Sequence, residues 1–418
     1  MPQTNPGQDE AKMKEEIQGH RKAAGLFILI DALGWTYLQN ENFVTDLLSY
    51  RTKVQTILGF SSGAIPVLLS GKPPKENGHW NLFYYDPQNS PFRWVRWIRF
   101  LPSSLLNHRI FRKGVRELSR LFNRFAGYFQ IYGVPVELLP YFDICEKSDI
   151  YLPGGLPNSI FDHLKERGVP YRTYSYHQFS DRQIISEAGT DLRAQKYEMY
   201  FLYLSELDSF LHDRCKYEGE VRSKLQQYDQ WIREVYQEAK KSYDDVELFV
   251  FSDHGMTPKR AGYDLLSEMR PLKLEMPRDY IAIYDSTMAR FWFFREGARE
   301  RILSRLNQLE CGRILKQEER KRFGLDFSDN RYGDAVFLMN PGVVIEPSFM
   351  GTLGPEGMHG FDPEKDPHSY AAFLSNRTPE FPIRTLADVN EVMRNWIDRM
   401  GANRFAEERT NSSFAVSK

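Results

Sequence analysis

The sequence predicts an α/β fold with a mostly parallel central sheet and helices on both faces. Three apolar runs carry that prediction. Gly25-Leu26-Phe27-Ile28-Leu29-Ile30 ends at Asp31, while Tyr197 to Leu204 and Val246 to Phe251 lead into Asp208 and Asp253. Near-continuous apolar stretches of this length are how strands buried on both faces read. Open α/β sheets bind ligands beyond the carboxyl ends of their strands, so each run delivers a carboxylate to the functional edge.

Taken in order, the first run turns into a loop at Asp31-Ala32-Leu33-Gly34. Leu58-Gly59-Phe60-Ser61-Ser62-Gly63-Ala64-Ile65-Pro66 opens a helix that continues to Leu69. A basic and aromatic inserted region covers 83–150; from Arg93 to Arg124 it holds nine Lys/Arg and one acid, Glu117. Tyr151 to Tyr176 returns to the core, with a helix over 157–167 and a strand starting at Val169-Pro170-Tyr171. Glu220 to Lys241 has helical spacing and mixed charge. A second insertion, 257–344, contains two strand-like runs, Tyr280 to Tyr284 and Ala289 to Phe294, and a charged helix near Arg299 to Leu309. Leu386 to Met400 is the last amphipathic helix. The expectation is one catalytic domain over 23–400, with flexible tails at 1–22 and 406–418.

The chain has 418 residues, 41% hydrophobic and 14% aromatic, enough for one large α/β domain with insertions. A net charge of −1 argues against general nucleic-acid binding, and no nucleic-acid-binding motif is present. Three scattered cysteines exclude a disulfide framework and a CxxC metal knuckle, which fits a reducing compartment. The polar N-terminus shows no secretory h-region, and no run of about 18 apolar residues suggests a membrane span. The expected location is cytoplasmic, with peripheral membrane contact through the basic insertion. There Arg93, Arg96, Arg99, Arg109 and Arg112 would hold a polyanionic or lipid-linked substrate, and Trp94, Trp97, Ile98 and Phe100 would supply apolar contact.

Four short segments carry the chemistry: Asp31 after the first run, Asp208-x-x-x-His212, Ser252-Asp253-His254-Gly255 and Met358-His359-Gly360. One helical turn places Asp208 and His212 on one face. Asp253 and His254 can both face one site where a strand ends and the chain turns. Alone, such an Asp is most often a turn residue and such a His a hydrogen-bonded core residue. Three Asp and three His in this order form a ligand set for two divalent metal ions, Zn²⁺ first and Mn²⁺ as the alternative. A hydroxyl at the start of the Ser61 helix gains from the dipole and free N–H groups, which also bind phosphate. Ser61 is the candidate nucleophile and Ser62 its rival; the plainer role for Ser61 is a helix N-cap. Asp362 is a candidate to orient His359.

These motifs together resemble the alkaline phosphatase superfamily, in its type I phosphodiesterase/nucleotide pyrophosphatase branch. Ser61 stands ten residues before Gly71 in Ser70-Gly71-Lys72-Pro73-Pro74, and Tyr85-Asp86-Pro87 resembles the branch's Tyr-Asp-Pro. Asp208…His212, Ser252-Asp253-His254-Gly255-Met256 and Met358-His359-Gly360-Phe361-Asp362 follow in the branch's order. The resemblance covers Leu26 to Phe381. It implies an alkaline-phosphatase-like domain in which Asp208, His212 and His359 hold one metal. Asp31, Asp253 and His254 hold the other, together with Ser61, which attacks phosphorus.

This sequence departs from the branch in having Ser for the usual Thr nucleophile, Gly63 for a Pro and Leu211 for a Gly. The phosphate-binding Asn falls at Leu82, so the neighbouring Asn81 is the candidate. These departures bear on substrate class more than on the metal site. The implied function is cleavage of a phosphodiester or pyrophosphate bond in a small substrate, nucleotide- or lipid-linked. Rivals are a phosphomonoesterase or phosphotransferase of the same superfamily, and a non-catalytic binding or assembly protein on this fold. A sulfatase is disfavoured, because Ser61-Ser62-Gly63-Ala64-Ile65 lacks the Cys/Ser-x-Pro-x-Arg pattern.

Overall fold

A computed structural model describes residues 22–415 except Asn40 and Arg99, with side chains described as far as Arg404. In chain order, the strands of its two larger sheets are β1 (Ala23–Ile30), β2 (Tyr50–Val54), β3 (Tyr171–Tyr174), β4 (Met199–Leu204), β5 (Asp245–Phe251), β6 (Tyr280–Tyr284), β7 (Met288–Phe293), β8 (Gly312–Ile314), β9 (Ala335–Met339) and β10 (Ala371–Ser375). The main helices are α1 (Ser61–Ser70), α2 (Arg109–Asn123), α3 (Ile160–Arg167), α4 (Asp181–Arg193), α5 (Glu206–Arg214), α6 (Glu218–Ser242) and α7 (Leu386–Ala415).

The central sheet has the order β2-β10-β5-β1-β4-β3. Its core, β5, β1, β4 and β3, is parallel, and β10 runs antiparallel to both its neighbours. The alternation of side chains along β1 builds two hydrophobic layers. Leu26, Ile28 and Ile30 pack on one face with Ile184, Leu192, Tyr228 and Ile232 of α4 and α6. Phe27 and Leu29 pack on the other with α1, α3 and α7. Phe27 stacks on Phe249 at 4.5 Å between ring centroids and meets Trp396 edge-on at 5.5 Å.

The second sheet, β6-β7-β9-β8, is antiparallel throughout. Its apolar face shares one core with residues of the 83–150 segment, among them Phe92, Val95, Phe129 and Phe142.

The expected strands and helices form, with ends shifted by a few residues. Four strands went unread, β8 and β9 of the second sheet among them. β2 is polar and only partly buried, and β10 is five small or mixed residues, so neither shows a long apolar run. The C-terminal helix continues to Ala415 instead of ending at Met400, which takes in much of the expected 406–418 tail. The expected 1–22 tail, apart from Lys22, lies outside the described residues.

Of the five arginines, three already have partners within the segment. Arg93, Arg96 and Arg112 donate to backbone carbonyls at Gln88, Pro87, Pro140 and Val134, tying the segment's loops together. Arg109 is exposed, and Arg99 lies outside the described residues. Among the described residues no helix is long and apolar enough to cross a membrane.

Truncating Phe27 to Ala removes the ring that joins β1, β5 and α7. The expected loss is about 3–5 kcal/mol, read as a lower urea midpoint. A change below about 1 kcal/mol would show that this layer collapses around the gap.

Candidate active site

Every candidate ligand enters from the carboxyl edge of the central sheet or from a loop packed on it. Asp31 follows β1 directly, and Asp253 and His254 follow β5 after Ser252. Ser252 is fixed from both sides: its hydroxyl donates to the Leu33 carbonyl and accepts from the Ala372 N–H. The Thr56 hydroxyl donates to the Asp253 carbonyl at 2.6 Å, linking the loop after β2 to the same corner. Gly255 is required here, since a Cβ would sit 2.1 Å from the His368 carbonyl oxygen. Asp208 and His212 lie one turn apart on α5, as their spacing predicts. His359 follows a two-residue strand, Gly357–Met358, paired with Thr257–Pro258.

Ser61 is the first residue of α1. Phe60 occupies the N-cap without a side-chain bond, so Ser61 is not the cap. Its Oγ lies instead 2.8 Å from His254 Nε2. Gly63 lets this helix start lie against the loop before Asn81; a Cβ there would be 2.7 Å from the Trp80 carbonyl oxygen.

His254 Nε2 is also 3.3 Å from Asp31 Oδ1 and 3.2 Å from Asp253 Oδ2. His254 Nδ1 lies 2.9 Å from the Gly255 carbonyl and His212 Nδ1 lies 2.8 Å from the Gly357 carbonyl. Each carbonyl accepts from an Nδ1–H, which leaves the Nε2 lone pairs turned into the site. Asp208 spans the two halves. Its Oδ2 is 3.3 Å from His212 Nε2 and its Oδ1 is 3.6 Å from His359 Nε2. One ligand group comprises Asp208, His212 and His359, and a second comprises Asp31, Asp208 and His254, each with its ligand atoms within 4.8 Å of one another. Asp253 adjoins the second group through His254. The His254 and His359 rings stack at 3.7 Å.

Asp253 is fully buried, and Asp253 Oδ2, Asp31 Oδ1 and Asp208 Oδ1 have no hydrogen-bond partner. Burial and the neighbouring Asp253 and Asp208 charges hold the Asp31 carboxyl well above its usual range. Burial, with Asp208 adding to it, pushes Asp253 up to about 7. Burial also raises Asp208, but the three imidazoles outweigh it and hold that carboxyl below the usual range. Burial and the His254 ring push His359 well down, favouring a neutral imidazole. Buried carboxylate oxygens with no hydrogen-bond partner among the described residues, beside imidazole nitrogens, match the hard and borderline donors that Zn²⁺ and Mn²⁺ take.

A cavity of about 330 Å³ opens beside Ser61 and Asp208. Ser62, Asn81 and Leu82 line it too. Asn81 is buried; its Nδ2 donates to Asp285 Oδ2 at 3.3 Å, and Arg290 Nε donates to the same oxygen at 3.0 Å. Asp362 does not orient His359. It pairs with Arg313 at 2.8 Å, and His359 Nδ1 has no partner.

Sequence reasoning missed Tyr203, whose hydroxyl donates to Asp31 Oδ2. Tyr203 sits within the apolar run of β4, where it reads as core. The Asp285–Arg290 pair was missed as well; a charged residue inside the β6–β7 hairpin was its only signal.

Comparison with known proteins places this arrangement. The model of the type I phosphodiesterase / nucleotide pyrophosphatase family matches residues 25–362. The chain belongs to that family and is a hydrolase of phosphoric esters. No curated protein matches it by sequence. Among solved structures it resembles murine ectonucleotide pyrophosphatase / phosphodiesterase 5, at 16% identity and a TM-score of 0.63, over 90% of this chain and 95% of that one. An inactive form of the murine protein in complex with AMP aligns at 17% identity and a TM-score of 0.63, over 91% of this chain and 95% of that one. Phosphonoacetate hydrolase from Sinorhizobium meliloti, in complex with phosphonoacetate, aligns at 14% identity and a TM-score of 0.54, over 90% and 96% of the two chains.

Chelated protein should regain thermal stability when Zn²⁺ or Mn²⁺ is added, by about 2.7 kcal/mol at a hundredfold excess over Kd. Because Asp208 reaches both groups, Asp208→Ala should lower bound metal at both, measured by elemental analysis. Full metal content in that variant would count against the shared role.

Proposed function

We propose that the protein cleaves a phosphodiester or pyrophosphate bond through Ser61, in a site built for two divalent cations. The observation that carries this reading is the position of Ser61 Oγ, 2.8 Å from His254 Nε2 at the meeting point of all six candidate ligands. In it, Asp208, His212 and His359 hold one ion, and Asp31, Asp253 and His254 hold the other; Zn²⁺ fits this donor set first and Mn²⁺ second. Such ions supply Lewis acidity at the attacking and leaving oxygens and lower the pKa of the serine hydroxyl.

The chain's own groups do the rest. The α1 N-terminus presents backbone N–H groups that have no partner within the helix, positioned for a phosphoryl oxygen. Asn81, held by Asp285 and lining the same cavity, supports a second oxygen. As the Ser61 Oγ–P bond forms, the P–O bond to the leaving group breaks. Water then cleaves the phosphoserine ester or diester and restores the hydroxyl. AMP and phosphonoacetate, the ligands of the structural relatives, are of the size this cavity admits.

Purified protein should turn over bis-p-nitrophenyl phosphate. Chelator should abolish that turnover, Zn²⁺ or Mn²⁺ should restore it, and Ser61→Ala should lower kcat by at least a thousandfold. Cleavage of p-nitrophenyl phosphate alone would make the enzyme a monoesterase. Metal binding without turnover of either ester would point to a binding protein.

We also propose that the 83–150 segment rests on an anionic lipid surface. Trp97, Phe100, Ile110, Leu121 and Phe122 are between 69% and 83% exposed. On α2, Ile110, Leu121 and Phe122 lie on one flank, and Arg109, Lys113 and Arg120 on the other, with Val115 and Ser119 buried between them. Apolar residues that insert beside cations that meet headgroups describe an interfacial helix. A second copy docked on this face would bring like charges together. Sedimentation with phosphatidylserine vesicles should exceed that with phosphatidylcholine, and Arg109→Glu with Lys113→Glu should remove the difference. Sedimentation of that variant with phosphatidylserine vesicles equal to that of the unaltered protein would overturn the proposal.

A further inference from the structure

Asn81 stands where the second sheet reaches the catalytic corner. The loop that carries it packs on the start of α1 at Gly63, and its amide and Ser61 line the same cavity. Asn81 Oδ1 accepts from the Leu82 N–H at 2.8 Å, while Nδ2 donates to Asp285 Oδ2 at 3.3 Å. A backbone N–H only donates, and an oxygen that already accepts from Arg290 at 3.0 Å only accepts again. The two contacts therefore demand the same orientation of the amide. The Cys145 thiol holds the Asn81 backbone carbonyl as well, at 3.1 Å. An amide nitrogen carries two hydrogens. Among the described residues only one of them has a partner, which leaves the other for a ligand in the cavity.

Asp285 lies in the turn between β6 and β7, and Arg290 in β7 itself. Asn81, Asp285 and Arg290 are all buried. Besides its bond to Asp285, Arg290 donates from Nη1 to the Phe83 carbonyl at 2.7 Å. One guanidinium thus ties the acid to the backbone that leads away from the amide it holds. A lone acid on the wall of a phosphate cavity would repel the substrate. Arg290 balances that charge while keeping a carboxylate, the stronger kind of acceptor, against the amide. Buried ion pairs gain little stability over apolar residues of the same size. Stability therefore does not account for this pair, whereas the amide it grips does.

We propose that Asp285, backed by Arg290, is a positioning residue for the reaction: it locks the Asn81 amide so that one N–H is presented to a phosphoryl oxygen as charge develops there. The proposal rests on the phosphoryl-transfer reading above and gives the second sheet a part in it. A donor fixed before the substrate arrives needs no reorganisation as the bond from Ser61 to phosphorus forms. Without Asp285 the amide is held by Leu82 alone and can turn. Its oxygen, which repels a phosphoryl group, can then take the place of the N–H.

The test is a double-mutant cycle on bis-p-nitrophenyl phosphate turnover by the metal-loaded protein. Asn81→Ala should lower kcat about a hundredfold. Asp285→Asn should lower kcat about tenfold or more, with KM changed by less than about twofold. Added to Asn81→Ala, the same substitution should change kcat by less than about twofold, because the amide it acts through is gone. A purely structural role makes the two losses multiply, and that result would overturn the proposal. So would an unchanged kcat in Asp285→Asn, whatever its KM, or a loss of bound metal in that variant by elemental analysis. If Asp285→Asn does not fold because Arg290 is left uncompensated, Asp285→Asn with Arg290→Gln removes both charges together and enters the cycle in its place. If the unaltered protein cleaves no ester, the phosphoryl-transfer reading fails by itself, and calorimetry with tungstate, a tetrahedral oxyanion, reads the Asn81 donor instead. Asp285→Asn should then weaken tungstate binding about tenfold, and have no such effect in Asn81→Ala. Equal affinity of Asp285→Asn and the unaltered protein overturns the positioning role, as does absence of tungstate binding to the unaltered protein.

Discussion

Repulsion among buried carboxylates is the constraint on which this site depends. Asp31, Asp208 and Asp253 meet at the end of the central sheet, each with an oxygen that no protein donor satisfies. Two unit charges 4 Å apart interact by about 4 kcal/mol at an effective dielectric of about 20. In the folded chain, burial and the neighbouring charges push the Asp31 and Asp253 carboxyls up, while the imidazoles set against Asp208 hold it down. That is a poor resting state for three acids and a good one for exchanging protons against metal. The surrounding geometry serves the same end. Backbone carbonyls fix the tautomers of His254 and His212, and Ser252 and Thr56 hold the loop that carries Asp253.

The sheet makes such crowding affordable elsewhere. β1 is buried on both faces, and its two apolar layers hold the strand ends rigidly in register with β4 and β5. The second sheet and the 83–150 segment, joined by their own core, supply the far wall of the cavity. Ligands and cavity wall therefore come largely from different layers. The parallel sheet brings the ligands and Tyr203, and the segments between its strands bring Tyr128, Tyr132, Tyr151, Tyr176 and Glu146 to the cavity wall.

That division explains what could be read from the sequence. Asp31, Asp208 and Asp253 each follow an apolar run, so strand pattern and ligand identity announced one another. The i, i+4 spacing of Asp208 and His212 is a helical property that survives without any fold. The tyrosines that line the cavity, Tyr128, Tyr132, Tyr151, Tyr176 and Tyr203, had no such signature, because they come from four stretches of chain with no shared period. Tyr203 was hidden by an apolar strand. Asp362 lay near His359 in sequence but turned to Arg313, and three arginines of the basic segment bond to carbonyls of their own segment. Proximity in sequence fixes neither the direction of a side chain nor its partner.

The place of β10 has a consequence for how the chain is made. This strand lies between β2 and β5 in the sheet, yet it is the last strand in the chain. During synthesis, β5 keeps an open edge and β2 lacks its partner until residues 371–375 leave the ribosome. His359 arrives only shortly before them. From the synthesis of Asp253 until that of β10, the nascent protein therefore carries Asp31, Asp208 and Asp253 without the element that closes the sheet beside them. Pairings this distant along the chain form slowly, and an unpaired edge invites association with other chains. The final fifty or so residues, which supply β10 and α7, thus act as the closing step of assembly.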